Sequence, residues 1–129
     1  MTKNLFFLAA GVLLVLLTAC SAAGGDPAAQ AVEDYLQALV DKDASALAAL
    51  SCADWEAGAL RELDSLQTVA TRLEGLRCQS QSTDGVYIFV ACEGNILATY
   101  NNEDQAIDLS LRTYQVVEER GDYLVCGYR

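Results

Sequence analysis

The 129 residues contain no histidine, and only eight lysines and arginines stand against eighteen aspartates and glutamates. Without imidazole, no side chain titrates near neutral pH unless its surroundings shift it, so an acid–base catalyst here has to be a perturbed carboxylate or phenol. The commonest metal ligand is missing as well. With a net charge of −10, the chain is repelled by phosphate backbones and anionic surfaces, which excludes nucleic acid as a partner. Proline and tryptophan each occur once. The one proline, Pro27, leaves every other helix or strand free of its break, and it stands where a helix begins, after Asp26.

What is present starts with a short apolar run. Lys3 is followed by Leu5 to Leu17 without a charge, a stretch well below the roughly 20 residues that span a bilayer. The run closes on Leu17-Thr18-Ala19-Cys20. This arrangement resembles a bacterial lipoprotein signal with its lipobox. The resemblance implies a signal peptide over residues 1–19, lipidation of Cys20, a short tether to residue 26 and a single domain over 27–129. It further implies attachment to the cell membrane or outer membrane at the extracytoplasmic face, where dual acylation, palmitate included, suffices for anchoring. Ser21 stands where an aspartate suggests inner-membrane retention. Residues 20–129 carry seven basic and eighteen acidic groups, a net of −11, and are long enough to enclose one core.

Five cysteines are an odd count for an exported chain until Cys20 is set aside. Cys52, Cys78, Cys92 and Cys126 then remain, enough for two disulfides in any of three pairings. None has C-x-x-C spacing, so neither a zinc site nor a redox centre is expected, and no metal or cofactor is expected.

Along the domain, Ala28, Ala31, Val32, Tyr35, Leu36, Leu39 and Val40 recur at three- and four-residue intervals, which predicts an amphipathic helix capped by Asp26. Asp43 caps a short second helix with Leu47 and Leu50. Ser51 and Asp54 read as an N-cap and capping-box partner for a third, whose inner face carries Trp55, Ala59, Leu63 and Leu66. Strands follow. Leu76 to Cys78 alternates, Thr83-Asp84-Gly85 is a hairpin turn, and Val86 to Thr99 is rich in β-formers. After a polar loop at Asn101 to Asp104, Ile107, Leu109 and Leu111 alternate with Asp108, Ser110 and Arg112 as a half-buried strand. Tyr123 to Tyr128 makes the last. The expected class is α+β: three N-terminal helices packed on a curved antiparallel sheet of about four strands.

The helix from Ala28, the acidic turn at Lys42-Asp43, the small helix after it and the ending Gly121-Asp122-Tyr123-Leu124-Val125-Cys126 resemble NTF2-like domains. The resemblance implies a cone in which the sheet wraps the first helix, often around a pocket. In such a hairpin Cys78 and Cys92 are equidistant from Gly85 and share inward faces with Leu76 and with Ile88 and Val90. Their pairing leaves Cys52 for Cys126, the latter beside inward-facing Leu124.

Some NTF2-like relatives are enzymes using a carboxylate base with tyrosine or acid donors. Here Tyr35 lies on the inner stripe, Asp108 faces solvent, and no acid is marked by its neighbours as inward. Tyr35, Trp55, Tyr87 and Tyr114, with Tyr100, are candidate pocket-lining residues; no catalytic residue is assigned. The expected function is therefore non-catalytic binding, with a small apolar ligand or an envelope protein as partner. The alternative is a small isomerase, lyase or hydrolase using a carboxylate and Tyr35. Arg120-Gly121-Asp122 reads as a turn and not an adhesion signal, and Asn101 to Asp104 as a solvated loop and not a calcium site.

Overall fold

Asp26 opens the first helix by accepting a hydrogen bond from the Ala29 amide at 3.1 Å, with Pro27 next to it, where no amide hydrogen is needed. The computed structural model describes residues 25–129; Cys20, the apolar run before it and residues 21–24 lie outside the described residues. Helix α1 (Pro27–Val40) buries Val32, Tyr35, Leu36 and Leu39. Lys42 turns the chain with a positive φ of 57°, and Asp43 caps α2 (Ala44–Ala49) through the Ala46 amide. Helix α3 (Ala53–Ser65) buries Ala59 and Leu63.

The start of α3 departs from expectation. Cys52, not Ser51, occupies the cap position, and its side chain caps nothing. The Ser51 hydroxyl instead donates back to the Leu47 carbonyl at 2.8 Å. The reason is tertiary: the Cys52 amide donates to Val125 and the Val125 amide to Leu50, at 2.9 and 2.8 Å, so this segment is held against the last strand.

The sheet has five strands where about four were expected: β1 (Ala70–Asp84), β2 (Tyr87–Tyr100), β3 (Glu103–Asp108), β4 (Thr113–Glu119) and β5 (Asp122–Tyr128). Its order is β1-β2-β4-β5, and β3 lies on the same edge of β2 as β4. Strands β3 and β4 are thus one course along β2, broken by a 3-10 turn at Leu109–Leu111. That break corrects the reading of Ile107 to Arg112 as a continuous strand. Leu109 is buried, but Leu111 is 79% exposed.

The break falls on a line across the sheet. Opposite it in β2, Gly94 has a φ of 99°, and β1 is irregular between Glu74 and Arg77, around Gly75. A Cβ on Gly94 would lie 2.5 Å from the Glu74 carbonyl oxygen, so no larger residue fits this crossing. Irregularities aligned on three adjacent courses bend a sheet as a unit. The bent sheet folds over α1, and the class is α+β with an open antiparallel sheet, as expected.

Cys78 and Cys92 are register partners on β1 and β2 and are bonded; Cys126 on β5 is bonded to Cys52. Such bonds belong to an oxidising, extracytoplasmic environment. On β5 the fully buried residue is Val125, not Leu124 or Cys126, which alternation places on the inward face. The pairing of Val125 with the segment before α3 sets that orientation. Among the described residues, no helix is long and apolar enough to cross a membrane.

Candidate functional site

Residues Trp55, Ala59, Glu62 and Leu66 succeed one another along α3 at intervals of three and four, so Glu62 falls on the apolar stripe. An acid there needs partners, and it has three. Its Oε1 accepts from Arg112 Nη1 at 2.6 Å and from the Tyr128 hydroxyl at 3.4 Å, and its Oε2 accepts from the Tyr35 hydroxyl at 3.3 Å. Trp55 Nε1 donates to the Tyr35 oxygen at 3.0 Å, and Arg112 Nη1 also reaches the Tyr114 hydroxyl at 3.4 Å. The Glu62 and Arg112 side chains are 13% and 19% exposed, so this ion pair is largely withdrawn from water.

The aromatic rings form a continuous wall behind the pair. Tyr35 meets Tyr114, Tyr114 meets Tyr128, and Trp55 stands edge-on to Tyr128, with centroids 6.3, 5.5 and 5.8 Å apart. The Arg112 guanidinium lies 4.2 Å over the Tyr128 ring. Two glycines make room for Trp55. A Cβ on Gly58 would meet the indole at 2.6 Å, and one on Gly127 at 3.4 Å. Gly127 has a φ of 111° and sits in a register shift of β5, which turns Tyr128 inward beside Tyr114.

Burial, and then the charge of Glu62, push the Tyr35 phenol far above its ordinary pKa. Burial likewise pushes Tyr114 up to about 12, against the lowering pull of Arg112. For Arg112, burial alone lowers the pKa, but Tyr114 and Glu62 outweigh it and hold the guanidinium charged. Tyr128 is raised by burial and then by Glu62.

In front of this network lies an open cavity of about 360 Å³. Trp55, Tyr128, Ile96 and Ile107 give it apolar walls, and Arg61, Glu62 and Arg112 give it charge. Of the aromatic residues expected to line a pocket, Trp55 does so. Tyr35 and Tyr114 are fully buried behind the cavity, Tyr35 meeting its lining at Glu62 and Trp55 and Tyr114 at Arg112 and Tyr128. Tyr87 and Tyr100 are 39% and 59% exposed elsewhere on the sheet, because they flank β2 at its two ends. Glu62, Arg112 and Tyr128 were not expected here. The place of Glu62 on the stripe is the signal that marks it; Arg112 is turned inward by the 3-10 turn that exposes Leu111. Asp108 is exposed and caps that turn through Ser110.

The other loops are built as turns. Asn101 and Asn102 have positive φ, as do Arg120 and Gly121, as tight hairpins require. Asp104 accepts from Arg72 at 2.8 Å.

No family model matches the chain, and no curated protein matches it. Among solved structures, it is similar to Aln2 from a Streptomyces species, at 12% identity, with a TM-score of 0.55 over 79% of this chain and 85% of that one. The likeness is one of fold.

Proposed function

We propose that this chain is a membrane-anchored extracytoplasmic lipoprotein whose NTF2-like domain binds a small molecule in the cavity before Glu62 and Arg112, without transforming it. The α+β architecture and the fold likeness to Aln2 support the NTF2-like assignment. The lipobox-like run at Cys20 and the two disulfides support export and anchoring.

One observation carries the binding reading. The cavity is floored by a carboxylate whose two oxygens are already engaged by Arg112, Tyr35 and Tyr128. A general base has to offer a lone pair to a substrate proton, and here three of the roughly four acceptor positions of the carboxylate already hold donors. Pre-set walls with a few fixed polar groups are the common form of a small-molecule site. The test is native mass spectrometry of the disulfide-intact protein taken from its own membrane. A bound small molecule is expected, and a bare domain refutes the assignment. Cys20→Ala is expected to lose acylation and membrane retention; a variant still acylated refutes the anchor.

A second reading has its own support. Tyr35 lies within hydrogen-bond reach of an inward glutamate, the pairing an isomerase, lyase or hydrolase of this architecture needs. Arg112 has to release Glu62 on substrate entry for this to operate. Turnover abolished by Glu62→Gln, with ligand binding kept, selects this alternative.

A further inference from the structure

Resting on the reading of the cavity as a binding site, we propose that its ligand is a small monocarboxylate with an apolar body, whose head group is taken by Arg112 and Arg61. The charge balance points there first. The chain carries ten more acidic than basic groups, yet the cavity is lined by two arginines and one glutamate. It therefore holds a net charge of one positive unit on a molecule that elsewhere repels anions.

The donors of Arg112 give the second argument. Its Nη1 is committed to Glu62 and Tyr114, whereas Nε and Nη2 have no protein partner among the described residues. No buried side-chain nitrogen or oxygen among those residues lacks a partner, so these donors are open to solvent. A guanidinium with one nitrogen pinned and the other edge free presents the planar fork that matches a carboxylate. Arg61, one residue before Glu62 on α3, is exposed and makes no ion pair among the described residues, while Arg72, Arg77 and Arg112 each hold a carboxylate.

The walls decide the rest of the molecule. Trp55 and Tyr128 present aromatic surface, and Ile96, Ile107 and Leu66 complete an apolar lining. At about 360 Å³ the cavity stands near the lower end of small-molecule sites, which run from roughly 300 to 1,000 Å³. A single positive unit suits a monoanion; a phosphate dianion calls for more donors than this mouth offers. A cationic ligand finds the Tyr128 face already covered by Arg112.

Trp55, the one tryptophan, reports directly on occupancy. Its emission is to be followed on titrating the disulfide-intact protein with octanoate, 3-phenylpropanoate, octanamide and octylamine. The carboxylates are expected to bind at least about tenfold more tightly than octanamide, as charge-assisted hydrogen bonds outweigh neutral ones. Arg61→Gln, a surface change that leaves the core intact, is expected to weaken octanoate several-fold and octanamide less, because the amide loses only a neutral acceptor's share of the contact. Arg112→Lys, which keeps charge but loses the fork, is expected to weaken octanoate more. Octanamide or octylamine binding as well as octanoate overturns the carboxylate assignment and leaves the cavity a binding site. Failure of all four to bind removes both.

Discussion

Two regions of this domain each pair an inward-reaching carboxylate with a disulfide, and they use them differently. On the β1 side, Glu33 accepts from the Cys78 amide at 2.8 Å, and Asp26 accepts from the Ser80 amide at 2.7 Å and from its hydroxyl. Both acids satisfy main-chain donors along an edge strand, next to the Cys78–Cys92 bond. On the α3 side, Glu62 meets side chains alone, in front of a cavity, on the helix that Cys52–Cys126 ties to β5. Carboxylates bound to backbone close the fold. One bound to arginine and tyrosine side chains can exchange partners when a ligand arrives. A second recess lies along β1, but its polar lining residues Asp26, Arg77, Gln79 and Glu93 are all exposed.

The largest effect that sharpens this contrast concerns the disulfides. Replacing Cys52 and Cys126 by serine opens a link spanning 74 residues and is expected to cost about 4 kcal/mol, against about 3 kcal/mol for Cys78 and Cys92, which span 14. Urea unfolding of the two double variants checks the order. Next comes Glu62→Ala, which strands Arg112 in a largely dry site and is expected to cost about 3 kcal/mol. Replacing both Glu62 and Arg112 by methionine is expected to restore most of that stability while abolishing ligand binding. An equal loss of stability in that double variant breaks the claim that the pair serves binding more than folding.

Gly58→Ala drives a methyl into the Trp55 ring and is expected to shift its emission and weaken binding, with a smaller loss of stability. The smallest effect lies on the β1 side. Burial pushes the Asp26 carboxyl up, but the Ser80 hydroxyl, the Ser80 amide and the Ala29 amide together hold it below its ordinary value. Because the folded-state pKa is depressed, its contribution is present above the unfolded value of about 3.9 and fades as pH falls through the folded one. Asp26→Asn is expected to flatten the acid limb of the stability curve and leave ligand affinity untouched.

The helices were legible because one pattern decides them. The Tyr35, Leu36 and Leu39 stripe of α1 is fully buried, and Asp26 and Asp43 cap where their side chains predict. The interrupted strand was not legible. Alternation through Ile107, Leu109 and Leu111 is a local signal, but the bend that breaks it is set by Gly75 and Gly94 on neighbouring strands. For the same reason Arg112 read as an outward residue. Tyr128 shares the face of Leu124 and Cys126 in strict alternation; the structure buries Val125 instead, and only the shift at Gly127 brings Tyr128 back beside Tyr114. Glu62 stood in plain view on its stripe, yet its partner Arg112 is 50 residues away, a distance that no local pattern reaches. Glu62 and Arg112 meet at the cavity, where local preference yields to site geometry.

Two signals in one amide spectrum compare the regions directly. The Trp55 indole N–H rests on the Tyr35 hydroxyl, behind the cavity, and the Cys78 amide rests on Glu33. Adding octanoate to the nitrogen-15-labelled, disulfide-intact protein is expected to move the Trp55 indole resonance and leave the Cys78 amide in place. A displaced Cys78 amide with an unmoved Trp55 indole contradicts the account.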